Sequence, residues 1–366
     1  MSAISQFIPR SVLRRLLARY PVSESARERA RSRLIFATLT SPLRWAENLR
    51  WNRKIRQTEV KAPVFLLGFG RSGTTHLHYL FWQDPQFGVV SNYQASMQPV
   101  ALIGNGWLPR LIGRSMPSTR PIDNVAISLD TPQEEEIAMV NSSEHAPLHF
   151  MTFPNELPEL YDRYVCRLGS DAAVLDAWKQ DYLRVLKKAT ILSEGRRLAL
   201  KTPTNTARVR VLSEMFPDAK FVNIVRNPYR VYRSMRNMYR TVLPDQALQE
   251  FDWDEIDRWT LDAYSSMMSK YLDERKLLGD DRLVEIRYED LVEHPIEELQ
   301  KIYAALELGE FDRVRPIFEA YLATIADYET NEFDFPDEIV AAVNERWAFA
   351  FDAFGYERVE PGELPR

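Results

Sequence analysis

The sequence predicts an α/β fold: a parallel sheet flanked by helices, with a P-loop-like turn after its first strand. Three observations carry this. Four short apolar runs, "PVFLLG" (63–68), "LALK" (198–201), "KFVNIV" (220–225) and "RLVEIRY" (282–288), lack the alternation of a half-exposed strand. They suit strands covered on both faces. Helical patterns separate these runs, as a parallel α/β sheet requires. The first run also enters a glycine-rich turn, "GFGRSGTT", from which a helical pattern leaves.

Before the first strand lies a basic, mostly helical arm, residues 1–60, with thirteen Lys+Arg against four Asp+Glu. Its net charge of +9 stands against −14 for the remainder of a chain that is −5 overall. "SVLRRLLARY" and "RERARSRLIF" alternate arginine with apolar residues at helical spacing. Two readings are open: an arm packed on its own acidic body, or a membrane-surface helix facing anionic lipid. An acidic body without a reader motif speaks against nucleic acid. Residues 61–366 form the main domain. Helices are expected over 73–83, 133–142, 172–193, 206–216, 228–239 and 253–278. Residues 86–170 are rich in Pro, Met and aromatic side chains with little periodicity, which suits an insertion shaping an acceptor pocket. Trp347, Phe349, Phe351 and Tyr356 read as core.

Composition adds limits. Apolar residues at 45% and charged ones at 27% are those of a globular protein. Cys166 is the single cysteine, which excludes an internal disulfide framework and fits a reducing compartment. With neither a secretory signal nor a run of membrane-spanning length, the expected location is cytoplasmic.

Two stretches carry the chemistry. Gly68 and Gly73 have P-loop spacing, and Thr75 stands where a Mg²⁺-holding hydroxyl would be. Thr74, however, replaces the lysine, and the loop's charge is Arg71. Backbone N–H groups, the helix dipole and the hydroxyls of Ser72, Thr74 and Thr75 make this turn an anion site. In "FPDAKFVNIVRNPYRVYRSM", a strand ends at Arg226, Pro228 starts a helix, and Ser234 lies eight residues beyond Arg226. That helix can carry Ser234 back to the strand end, where arginine and hydroxyl meet one phosphate.

Together these stretches resemble the motifs of the PAPS-dependent sulfotransferases, so the implied fold is the sulfotransferase fold. The resemblance assigns Gly70, Arg71, Ser72, Gly73, Thr74 and Thr75 to the phosphosulfate of 3′-phosphoadenosine-5′-phosphosulfate (PAPS). It assigns Arg226 and Ser234 to the 3′-phosphate, and the tyrosine of "YEDL", Tyr288, to the adenine. "LALKTPTNTARV" is similar to the strand-end lysine segment of the tyrosylprotein-type branch, which puts Lys201 beside the transferring sulfuryl group. "GRSGTTHLHYLFWQDPQF", "RPIDNV", "TPQEEEIAM" and "FPNELPELY" look like a bacterial branch that includes a sulfotransferase of a hydroxylated menaquinone. The implied reaction is in-line sulfuryl transfer from PAPS to a hydroxyl, leaving PAP, with no metal expected. The acceptor is expected to be a lipophilic small molecule, with the arm as a possible peripheral contact to the inner membrane face.

A general base is also required. The position of the tyrosylprotein branch's glutamate falls near Asn92, so that assignment does not carry over. "TPQEEEIAMV" offers substitutes: Thr131 as helix cap, Pro132 in the first turn, Glu134 and Glu135 solvated, and Glu136 facing inward with Ile137 and Val140. A buried glutamate has its pKa raised toward a value useful for proton transfer. Glu136, Glu134 and His145 are the candidates, while His76 and His78 read as packing residues. Two other functions compete. A P-loop kinase or NTPase wants a lysine at position 74 and an acidic Mg²⁺ partner. A non-catalytic, membrane-associated nucleotide-binding protein would not need Lys201.

Overall fold

The structure, a computed structural model, describes residues 8–112, 127–326 and 334–363. The "RPIDNV" stretch lies outside them. Two compact units are distinguished, one of residues 1–61, 87–200 and 240–253, the other of 62–86, 201–239 and 254–366.

In the first unit, α1 (Arg10–Arg19), α2 (Arg27–Leu39) and α3 (Ser41–Gln57) precede β2 (Phe87–Gly88). Then come α5 (Asn92–Met97), α6 (Ala101–Gly104), α7 (Leu108–Ile112), α8 (Glu135–Val140), α9 (Leu157–Tyr161) and α10 (Ala172–Leu192). β2 pairs in parallel with β3 (Arg197–Lys201), Phe87 opposite Arg197. A two-residue strand has no periodicity to read, which is why β2 escaped the sequence.

The basic arm is anchored by charge as well as by apolar burial. Val12, Leu13 and Leu16 of α1 are buried, and Arg15 and Arg19 pair with Glu144 and Glu159. In α3, Glu47 is wholly buried against Lys188 of α10. The second Glu47 oxygen accepts the N–H groups of Leu102 (2.9 Å) and Ile103 (3.2 Å), and Lys188 Nζ donates to the Gln98 carbonyl (2.5 Å). Such a pair survives burial because both ions have further hydrogen bonds.

In the second unit, β4 (Lys220–Val225) lies between β1 (Val64–Leu67) and β5 (Leu283–Arg287), all parallel. The register sets Leu67 opposite Asn223 and Val225 opposite Arg287. All four β1 residues are fully buried, which explains the missing alternation. The helices are α4 (Thr74–Gln83), α11 (Val209–Met215), α12 (Pro228–Gln246, which continues into the first unit), α13 (Trp253–Glu274), α14 (Tyr288–Glu293), α15 (Pro295–Ala305), α16 (Phe311–Thr324) and α17 (Asp337–Phe354). Of the C-terminal aromatics, Phe351 and Trp347 are buried in this core, Trp347 stacked on Tyr264 with ring centroids 3.8 Å apart, while Phe349 and Tyr356 are half-buried. Among the described residues, no helix is long and apolar enough to cross a membrane.

The buried pair yields a prediction. Lys188→Met strands the Glu47 carboxylate and should cost about 3–5 kcal/mol, read by chemical denaturation. The double variant Glu47→Leu/Lys188→Met should recover most of that loss. Equal stability of the single variant and the wild type would show that the pair contributes nothing.

Candidate functional site

Three strand ends build the cluster in the second unit. β1 runs into Gly68, β4 into Arg226, and β5 into Tyr288, the first residue of α14. Parallel pairing places all three at the carboxyl edge of the sheet, where open α/β sheets bind ligands.

The turn after β1 is shaped by close approach. Gly68 (φ +140°) and Gly73 (φ +94°) lie in the region that disfavours side chains, and Arg71 itself sits at φ +68°. A Cβ on Gly73 would fall 2.2 Å from Tyr288 Cδ2, so only glycine lets the ring lie against the loop. Gly73 leads into α4, whose first turn contains no acid, leaving its positive dipole end unopposed by its own side chains. Ser72 and Thr74 are buried with the turn. Gly68 N–H donates to Thr206 Oγ1 (2.8 Å), which ties the loop to the segment following Lys201.

The two sequence motifs meet here. Arg71 Nε donates to Ser234 Oγ at 2.9 Å, and Arg226 Nη1 to the Arg71 carbonyl at 3.3 Å. The Arg226 guanidinium lies over the Tyr288 ring, 4.2 Å from its centroid. Pro228 opens α12, and Asn227 Oδ1 accepts the Tyr229 N–H (3.1 Å), which starts that helix firmly. Two turns on, the helix brings Ser234 back to the turn, where it meets Arg71. Burial lowers the Arg226 pKa from its ordinary value; Tyr288 and Glu289 oppose that, while Arg230 and Arg71 add to it. A guanidinium stays charged through such a shift. Cations this close, half removed from water, make a strong site for a multivalent anion.

Lys201 ends β3 and is buried. Thr206 was not among the residues expected to act, although "KTPTNTARV" contains it. A hydroxyl that receives a loop N–H leaves no periodic signature.

Glu136, Glu134 and His145 belong to the first unit, where the expected pattern needs correction. The helix begins at Glu135 with Glu134 in the N-cap position, not at Thr131. Thr131 Oγ1 instead donates to the Ser128 carbonyl (2.9 Å) and accepts from Asn92 Nδ2 (2.8 Å). That hydrogen bonding gives Asn92 a structural role. Glu135, expected to be solvated, is wholly buried and accepts the Tyr182 hydroxyl at 2.9 Å. Glu136 is equally buried. Burial on a short helix buried almost all round therefore does not separate these two carboxylates. His145 Nδ1 lies 2.7 Å from Asp181 Oδ2. His78 is buried, as expected of a packing residue, and burial lowers His76 to about 4. Among the described residues, no group of three or more His, Cys, Asp or Glu is placed to hold a metal ion.

Residues 63–313 match the model of the Sulfotransferase family. The chain is 31% identical over 316 residues, 86% of its length and 81% of the relative's, to "Omega-hydroxy-beta-dihydromenaquinone-9 sulfotransferase Stf3" of Mycobacterium bovis, and equally to that of Mycobacterium tuberculosis. Its fold is similar to that of sulfotransferase STF9 from Mycobacterium avium (TM-score 0.70, 19% identity, 94% of this chain and 90% of the other). The fold is also similar to that of sulfotransferase STF1 from Mycobacterium tuberculosis (TM-score 0.60, 17% identity, 84% and 81%).

His149, wholly buried with Nε2 donating to the Ser143 carbonyl (2.7 Å), sets a pH dependence. Burial lowers it to about 4 from an ordinary 6.5. The unfolded chain then binds the extra proton between those values, so this contribution to stability is complete above pH 6.5 and lost as pH falls toward 4. The loss amounts to about 3 kcal/mol at most. His149→Gln should flatten the melting temperature between pH 6.5 and 4 relative to wild type; an unchanged slope would remove His149 as its source.

Proposed function

This chain belongs to the sulfotransferase family, and from that premise we propose that it moves a sulfuryl group from PAPS to a hydroxyl of a lipophilic small molecule. The observation that carries the donor half of this reading is the junction of Arg71, Arg226, Ser234 and Tyr288 at one sheet edge. It fits a nucleotide with charge at both ends. The turn's N–H groups and Arg71 face the 5′-phosphosulfate, Arg226 and Ser234 hold the 3′-phosphate, and Tyr288 offers a flat surface to the adenine. Gly70, Ser72, Thr74 and Thr75 complete the loop. The relatives' name, a sulfotransferase of an omega-hydroxylated dihydromenaquinone, supports the lipophilic acceptor. A peripheral position on the inner membrane face belongs to the same reading.

Glu136 takes the acceptor hydroxyl's proton as its oxygen attacks sulfur. The bond from sulfur to the bridging oxygen breaks, and PAP leaves with the electron pair. Arg71, Lys201 and the loop amides stabilise the charge that grows on the departing oxygen. The base is assigned to Glu136, a wholly buried carboxylate on the short helix α8. A kinase or NTPase reading is not favoured, since residue 74 is threonine and the family is that of sulfotransferases. A non-catalytic role is not favoured either, since the family is that of sulfotransferases. The direct test of the reading incubates protein, PAPS and a lipid extract and follows sulfate addition by mass spectrometry; the absence of both a sulfated lipid and PAP counts against it.

Arg71→Ala should lower turnover by roughly two orders of magnitude or more, about 3 kcal/mol of transition-state stabilisation, while Arg71→Lys retains a fraction. Near-normal turnover of the alanine variant would remove the phosphosulfate role of the loop. Arg226→Ala and Ser234→Ala should weaken PAP binding and leave adenosine 5′-phosphosulfate affinity nearly unchanged, because that ligand lacks the 3′-phosphate. Equal losses for both ligands would contradict the assignment.

For the base, Glu136→Gln should cut kcat by about 10² or more with little change in PAPS affinity. Glu134→Gln should be nearly silent, and Glu135→Gln should act on stability through Tyr182. A sensitive Glu134 or His145 would move the base without touching the reaction.

A further inference from the structure

We propose that the outer face of α2 and α3 is a docking surface for an anionic lipid bilayer. Ile35, Leu39, Pro42, Trp45 and Leu49 are exposed, and their spacing of three or four residues puts them on one side of a helical path. Thr40, between the helices, keeps right-handed helical dihedrals (φ −83°, ψ −2°), so the stripe passes from one helix to the next. Leu39, Trp45 and Leu49 are 72%, 69% and 74% exposed, unusual for side chains of this size. Elsewhere in the first unit, Leu43 of α3 and Leu108 and Ile112 of α7 pack on one cluster around Tyr93 and Met97, and Trp107, just before α7, and Leu111 are exposed.

Charge selects the occupant. Arg31 lies one turn before Ile35, and Arg53 one turn after Leu49, so both ends of the stripe are basic. Arg50, Lys54 and Arg56 of α3 are exposed too, while its one acid, Glu47, is consumed by Lys188 inside the protein. An apolar strip that contains Trp45 and is edged by arginine and lysine matches the boundary between acyl chains and anionic headgroups. A second copy of this face would instead bring like charges together. The link from this surface to a lipophilic acceptor rests on the proposed function; the docking itself does not.

The test is flotation of the full chain with vesicles of equal parts phosphatidylglycerol and phosphatidylcholine, or of phosphatidylcholine alone. Wild type should float with the anionic vesicles only, and less at high salt. Leu39→Ser/Trp45→Ser/Leu49→Ser should weaken that binding by at least about tenfold. Arg50→Glu/Arg53→Glu/Lys54→Glu should weaken it at low salt. Because these side chains are exposed, both variants should melt with wild type and keep wild-type turnover on a water-soluble phenol. The proposal is overturned if wild type stays unbound, if the serine variant floats as well as wild type, or if the serine substitutions instead split a solution dimer. A wild type that floats without turning over any acceptor upholds the surface and overturns the enzymatic reading.

Discussion

The parallel register of β1, β4 and β5 is the constraint on which the donor cluster depends. Because the three strands run the same way, their carboxyl ends deliver Gly68, Arg226 and Tyr288 to one edge without any long-range design of loops. Each strand end then makes a different contribution: backbone amides in a tight turn, a fixed cation, and an aromatic face. Tyr288 links them, since its ring packs against Gly73 and under Arg226. Arg71 closes the arrangement by reaching Ser234 across the edge. A glycine-rich turn whose charge is an arginine rather than a lysine gains a planar, permanently charged fork, a group suited to oxyanions.

Much of this was legible because the signals are local. The four longer strands, the turn and the return of Ser234 each depend on a run of a dozen residues or so, and periodicity, glycine spacing and a proline at the helix start register at that range. Contacts made across the chain were not legible. Nothing near Gly68 announces Thr206, 138 residues away. In "TPQEEEIAMV" the pattern favoured Thr131 as cap and solvated first-turn glutamates. Thr131 is instead taken by Asn92 and Ser128, and Glu135 by Tyr182, so the helix starts later and buries its acids. Tertiary hydrogen bonds outweighed the local preference.

The basic arm illustrates the same limit in another form. Charge alone allowed packing or membrane contact; the structure shows α1 and α3 packed on the first unit and leaves one face of α2 and α3 exposed. Arg15 and Arg19 of α1 and the acid of α3 are spent on the body of the first unit. What α2 and α3 leave outside is apolar and cationic, the part that amphipathic patterning describes but cannot orient.

The central claim is that one sheet edge in the second unit holds the nucleotide, and hydrogen–deuterium exchange with saturating PAP tests it most directly. The account predicts slowed exchange of the backbone amides of residues 68–76 and of the start of the helix after Arg226, with Arg71→Ala and Arg226→Ala each reducing the protection. Unchanged exchange in both segments, or protection confined to other parts of the chain, would contradict it.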